Sequence, residues 1–180
     1  QENHNSAASL LQVLPLLCFD NECVDDFLKT DKRWLREFED DLPDIAILKS
    51  GYMLVSSWLS KLRGVSFYVY SDSLGPTRSF DIHPLMSQYM LLHIDEWRRI
   101  SLLRQVLHLF YKLEDRGATR ESQIKPHVQH CIGVCHGLGL SLSNLDLPED
   151  VMKWAEEFLK EQEIQELDDV GDLGEDPFAD

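Results

Sequence analysis

The chain has 180 residues, 43% of them apolar, and carries a formal charge of −15 at pH 7. That length fits one domain, or one domain with a tail, and folding at this size hides roughly two thirds of the unfolded surface, so a core forms without disulfides. The acidic excess repels nucleic-acid phosphates and anionic lipid, and no apolar run reaches the roughly 20 residues that span a bilayer, so direct nucleic-acid binding and membrane insertion are not expected.

The opening QENHNSAAS lacks the basic and apolar regions of a secretory leader. Residues 6–18 read as a first helix, turned at Pro15. Asn21 is an N-cap residue type, and Val24, Phe27 and Leu28 follow it at helical spacing; a turn at Thr30 and Asp31 then opens a segment with Trp34, Leu35 and Phe38. Pro43 starts a longer helix whose Leu48, Tyr52, Val55, Leu59 and Leu62 form one stripe, ended by Gly64. Between 44 and 63 the only charges are Asp44, Lys49, Lys61 and Arg63, while Met53, Leu54 and Trp58 add apolar surface beyond one buried face. That surplus makes Tyr52 and Trp58 candidate partner-binding residues.

The pattern changes at VSFYVY, 65–70, which is β-branched and aromatic with a period of two. Across the turn-rich SDSLGP, TRSFDI at 77–82 is its partner, and a small β-hairpin near 65–82 follows because a lone strand leaves its backbone groups unpaired. Helices resume at Pro84 with the short LMSQYMLLH; the next begins near Asp95, shows Trp97, Ile100, Leu103, Val106, Leu107 and Phe110, and stops at Gly117. The last runs from Pro148 with Val151, Trp154, Ala155, Phe158 and Leu159 on one face and Glu149 and Asp150 in its first turn, where carboxylates suit the helix dipole.

Between these two helices lies HCIGVCHGLG, where His130, Cys131, Cys135 and His136 crowd together. On a helix beginning near Ile124, advancing about 100° per residue, Ile124, Val128, Cys131, Ile132, Cys135 and Leu138 share one arc about 120° wide. Both thiols therefore belong to the apolar stripe, His127 stands at its margin, and His130 and His136 point elsewhere. The alternative is a zinc-stabilised domain in which Cys18 and Cys23 join Cys131 and Cys135 as four ligands. Leu138, Leu142, Leu145 and Leu147 have the spacing of a nuclear export signal, yet they join two core helices and read as packing residues.

The end of the chain differs again: residues 161–180 hold nine acids and no base. Leu167, Val170, Leu173 and Phe178 stand isolated among those acids, an arrangement that stays solvated while its apolar groups enter a partner's groove, and they complete the set of candidate partner-binding residues. Asp176, Pro177 and Phe178 resemble the short Asp-Pro-Phe motif of endocytic adaptor ligands.

No nucleophile elbow, phosphate loop or helical zinc-protease motif occurs. The expectation is a mainly α chain: an irregular bundle of six to seven helices over 1–166, with the hairpin, and an acidic flexible tail over 167–180. Sparse cysteines with apolar neighbours suit a reducing, intracellular setting. The expected role is a non-catalytic protein-interaction module, an adaptor, regulator or scaffold subunit needing no cofactor or metal, whose partner is a protein with a basic or apolar groove, or a second copy of the chain. An enzyme of unrecognised class is the further alternative.

Overall fold

The computed structural model describes residues 9, 12–17, 42, 43, 45, 69–71, 79–81 and 84–171. Most of them are helical, so the described part of the chain is mainly α. Tyr52, Trp58, Leu173, Phe178, Cys18 and Cys23 lie outside the described residues. Ahead of the helices, β1, Val69–Ser71, pairs antiparallel with β2, Ser79–Asp81, placing Tyr70 opposite Phe80. Residues 84–171 then carry four α-helices: α1, Pro84–Leu92; α2, Glu96–Asp115; α3, Lys125–Gly137; and α4, Glu149–Gly171.

The core is organised on α2. Leu102, Leu103, Val106, Leu107, Leu109, Phe110 and Leu113 are all buried. At about 100° per residue they cover an arc of about 160°, wider than one neighbour can hide. Accordingly α2 packs against α3, α4 and the short 3-10 turn Leu142–Leu145 together. From α4 come Val151, Trp154, Ala155 and Phe158, all buried on the face that the sequence spacing assigns to the core. Leu142 and Leu145 are buried as well, which makes the export-signal leucines packing residues.

One member of the expected α2 stripe is misplaced. Trp97 is 69% exposed. Three-residue steps advance about 300° rather than a full turn, so each step drifts by about 60°. Two such steps, from Leu103 through Ile100 to Trp97, carry the indole about 120° from Leu103 and about 80° beyond the edge of the buried arc.

Two helices end in the same way. Beyond α2, Gly117 adopts φ 91°, its N–H bonding the Glu114 carbonyl at 2.9 Å while the Ala118 N–H reaches Leu113 at 3.0 Å. Gly139, φ 70°, does the same after α3, with Gly139 to His136 and Leu140 to Cys135 both at 2.9 Å. These paired bonds satisfy carbonyls that a helix end would otherwise leave open, and the left-handed residue is glycine because a Cβ is disfavoured there. A π-helical turn, Arg120–Ile124, leads into α3. Pro126 is the second residue of α3, and its nitrogen carries no hydrogen for the backbone bond a regular turn requires. Helix α4 continues to Gly171, so Leu167 and Val170, at the expected start of the tail, lie within it.

Candidate interaction surface

Helix α1 is short and apolar nearly all round: PLMSQYMLL has one serine and one glutamine. Leu91 and the following Ile94 are buried, and Met90 packs half-buried against the core. Leu85, Tyr89 and Leu92 fall within an arc of about 60° on the other side. Their exposure runs from 55% to 69%. Three large apolar side chains thus stand together on one helix face, close in sequence to the exposed Trp97.

The end of α1 is held firmly. The Tyr89 carbonyl accepts from the His93 backbone N–H at 3.2 Å and lies 2.9 Å from His93 Nδ1, while the His93 and Tyr89 rings sit 3.9 Å apart. Arg99 Nη1 donates to the Leu91 carbonyl at 3.4 Å. Basic side chains on the last carbonyls of a helix both satisfy them and suit its dipole. Arg98 reaches the other way, its Nε and Nη2 each 3.4 Å from Gln12 Oε1. Both guanidiniums, half-buried, are therefore engaged within the fold, whereas Asp95 and Glu96 are exposed. Asp95 is the N-cap residue of α2 but makes no side-chain cap hydrogen bond. Asp95, Glu96, Trp97 and Ile100 line a wide, open depression.

The thiol-bearing helix is built differently. Ile124, Val128, Cys131, Ile132 and Cys135 are all buried, as the helical arc expects, with Leu138 half-buried at its end. His127 is fully buried rather than marginal: its ring stacks on Phe110 at 5.1 Å and 6°. Cys131 Sγ donates to the Leu16 carbonyl at 2.9 Å, and His130 Nε2 lies 3.0 Å from the Pro15 carbonyl oxygen. These carbonyls end the 3-10 turn Leu14–Leu16, whose buried residues Val13 to Leu17 pack onto α3 and α1. A buried carbonyl without a partner is costly, so the pair on α3 fixes residues 13–17.

Neither Cys131 nor Cys135 is in a disulfide. Burial pushes the Cys135 thiol up to about 11. Nucleophiles and zinc ligands are thiolates, whereas a hydrogen-bond donor and a thiol with a raised pKa are neutral SH groups. Among the described residues no group of three or more His, Cys, Asp or Glu side chains is placed to hold a metal ion.

A polar clasp joins α2, the π-helical turn and α4, and nothing in the sequence spacing announces it. Arg120, on the π-helical turn, pairs with Glu114 of α2 at 3.2 Å and with Glu157 and Glu161 of α4 at 3.3 and 3.2 Å. Its guanidinium also lies 4.2 Å from the Phe158 ring centroid. Burial pulls the Arg120 pKa down, but the surrounding carboxylates outweigh it and the net shift is upward. Trp154 Nε1 donates to Glu114 at 2.6 Å, and Lys125 spans Glu121 and Glu161, each at 3.3 Å. Hydrogen bonding to Asp150 raises the Tyr111 pKa above its ordinary value. Each carboxylate of this group has a cation or donor within reach, an arrangement that ties elements together rather than one poised to react.

No protein-family model, no curated protein and no solved structure matches this chain. Among the described residues no helix is long and apolar enough to cross a membrane.

Proposed function

We propose that this chain is a non-catalytic protein-interaction module, an adaptor or regulatory subunit working inside the cell, and that α1 is its principal contact. The observation that carries this reading is the exposure of Leu85, Tyr89 and Leu92 on one face of a helix whose other face is core. Burying one such side chain against a partner is worth about 1.5–3 kcal/mol, so three together form the kind of anchor on which interfaces depend. A firmly held helix end supports it, because a preordered surface loses less entropy on binding. Tyr52 and Trp58 extend the apolar contact in this proposal, and the acidic segment with Leu167, Val170, Leu173 and Phe178 adds a second, tethered one.

The test is affinity purification from the native cell with three baits: the full chain, a Leu85→Gln/Leu92→Gln variant, and a chain ending at Gln165. A partner held by the full chain and lost from the α1 variant, whose melting is unchanged, is the expected result. The same partners in the same amounts on all three baits overturn the proposal.

A further inference from the structure

We propose that the partner of the α1 face is a basic amphipathic segment of another protein: its apolar side chains cover Leu85, Tyr89 and Leu92, and one of its lysines or arginines lies on Trp97 between Asp95 and Glu96. The inference rests on the reading of α1 as a docking face and adds the chemistry of what docks there.

The charge around Trp97 selects the occupant. Asp95 and Glu96 are exposed and line, together with Trp97 and Ile100, one open depression. Arg98 hydrogen-bonds Gln12 and Arg99 the Leu91 carbonyl, so both guanidiniums are held half-buried against the fold while the two carboxylates are exposed. An indole face attracts a cation through its quadrupole, and two carboxylates beside it strengthen that preference. An anionic occupant meets two like charges, and a purely apolar one covers carboxylates it cannot pair. Asp95 has a further significance: an N-cap aspartate usually spends its carboxylate on the first turn of its helix, and this one makes no such bond. The chain's charge of −15 favours encounter with a basic partner over the whole surface.

The experiment follows the Trp97 indole N–H by NMR in the full chain, assigned with Trp97→Phe, during titration with N-acetyl-lysine methylamide and, separately, N-acetyl-norleucine methylamide. The lysine probe should produce a saturable shift that the norleucine probe does not. Asp95→Asn/Glu96→Gln should weaken it roughly fivefold or more, and raising the salt about tenfold should weaken it too, since exposed charge pairs are screened. Equal shifts with the two probes, no shift with lysine, or an Asp95→Asn/Glu96→Gln variant that responds like the parent overturns the inference. In any of these cases partner loss from Leu85→Gln/Leu92→Gln still stands, marking an apolar face without charge preference. Sedimentation of the full chain and of that variant identifies the other occupant: a dimer that the α1 substitutions dissociate means a second copy fills the face and overturns the basic partner.

Discussion

The contact between α2, α3 and α4 and the exposed residues of α1 and the start of α2 use the same residue types, leucines and aromatics at helical spacing, for opposite ends. In the first, Phe110, Phe158 and Trp154 are hidden and polar neighbours pair beside them: Glu114 takes the Trp154 indole and Arg120, while Arg120 also reaches Glu157 and Glu161. In the second, Leu85, Tyr89, Leu92 and Trp97 face solvent, and the charges next to the indole, Asp95 and Glu96, stand outward with it. What separates the regions is therefore coverage and pairing, not hydrophobicity. A side chain in the closed region stabilises the fold, whereas one in the open region contributes only when something else covers it.

Substitution in the closed region should have the largest effect. Phe158→Ala removes a fully buried ring that packs on Trp154 at 5.0 Å and carries the Arg120 guanidinium, and should cost about 3–5 kcal/mol in denaturant titration. A loss close to zero would erase the distinction between the two regions.

Alkali should act next, and again on the closed side. Cys135, raised from 9.0 to about 11, keeps its proton in the folded chain at pH values where the unfolded chain has released it. The stability it supplies is whole below about pH 9 and is lost as the pH climbs through about 11, an effect of about 2–3 kcal/mol. Tyr111, raised chiefly by its bond to Asp150, and Lys125, raised chiefly by Glu161, shift in the same direction and add to the slope. Denaturant titrations across that range should show the decline, and Cys135→Ala should flatten it. For Asp150 burial acts upward, but hydrogen bonds from the Val151 N–H and the Tyr111 hydroxyl prevail and hold it low, so its contribution is lost in acid instead.

The smallest effect belongs to the open corner. Leu85→Gln and Leu92→Gln should each alter stability by no more than about 0.5 kcal/mol, because neither residue is buried in the folded chain. A loss several times larger would mean that the face is internal packing, and the docking proposal would fall with it.

How much of this was readable beforehand depended on range. Local periodicity placed Cys131 and Cys135 inside and found Val151, Trp154, Ala155 and Phe158, because a helix of known pitch converts spacing directly into direction. It misleads at Trp97, where the drift of three-residue steps has already left the core. The spacing of its own helix leaves His127 at the margin, and Phe110 of α2 supplies the cover. The bonds from His130 and Cys131 to Pro15 and Leu16 bridge 115 positions, a distance at which spacing carries no information. The role of Arg120 is illegible in the spacing for the same reason, since Glu157 and Glu161 lie 37 and 41 residues away. For the α1 face a usable signal did exist. Six apolar residues follow Pro84 within a nine-residue helix, more than one buried side accommodates, and the same surplus that singled out Tyr52 and Trp58 was present there.

The bond from Cys131 to Leu16 has an experimental consequence. A sulfur that is buried and engaged with a carbonyl is shielded from alkylating reagents until residues 13–17 swing away from α3. Modification at position 131, followed by peptide mass, therefore serves as a stopwatch for that opening, built into the molecule without any added label.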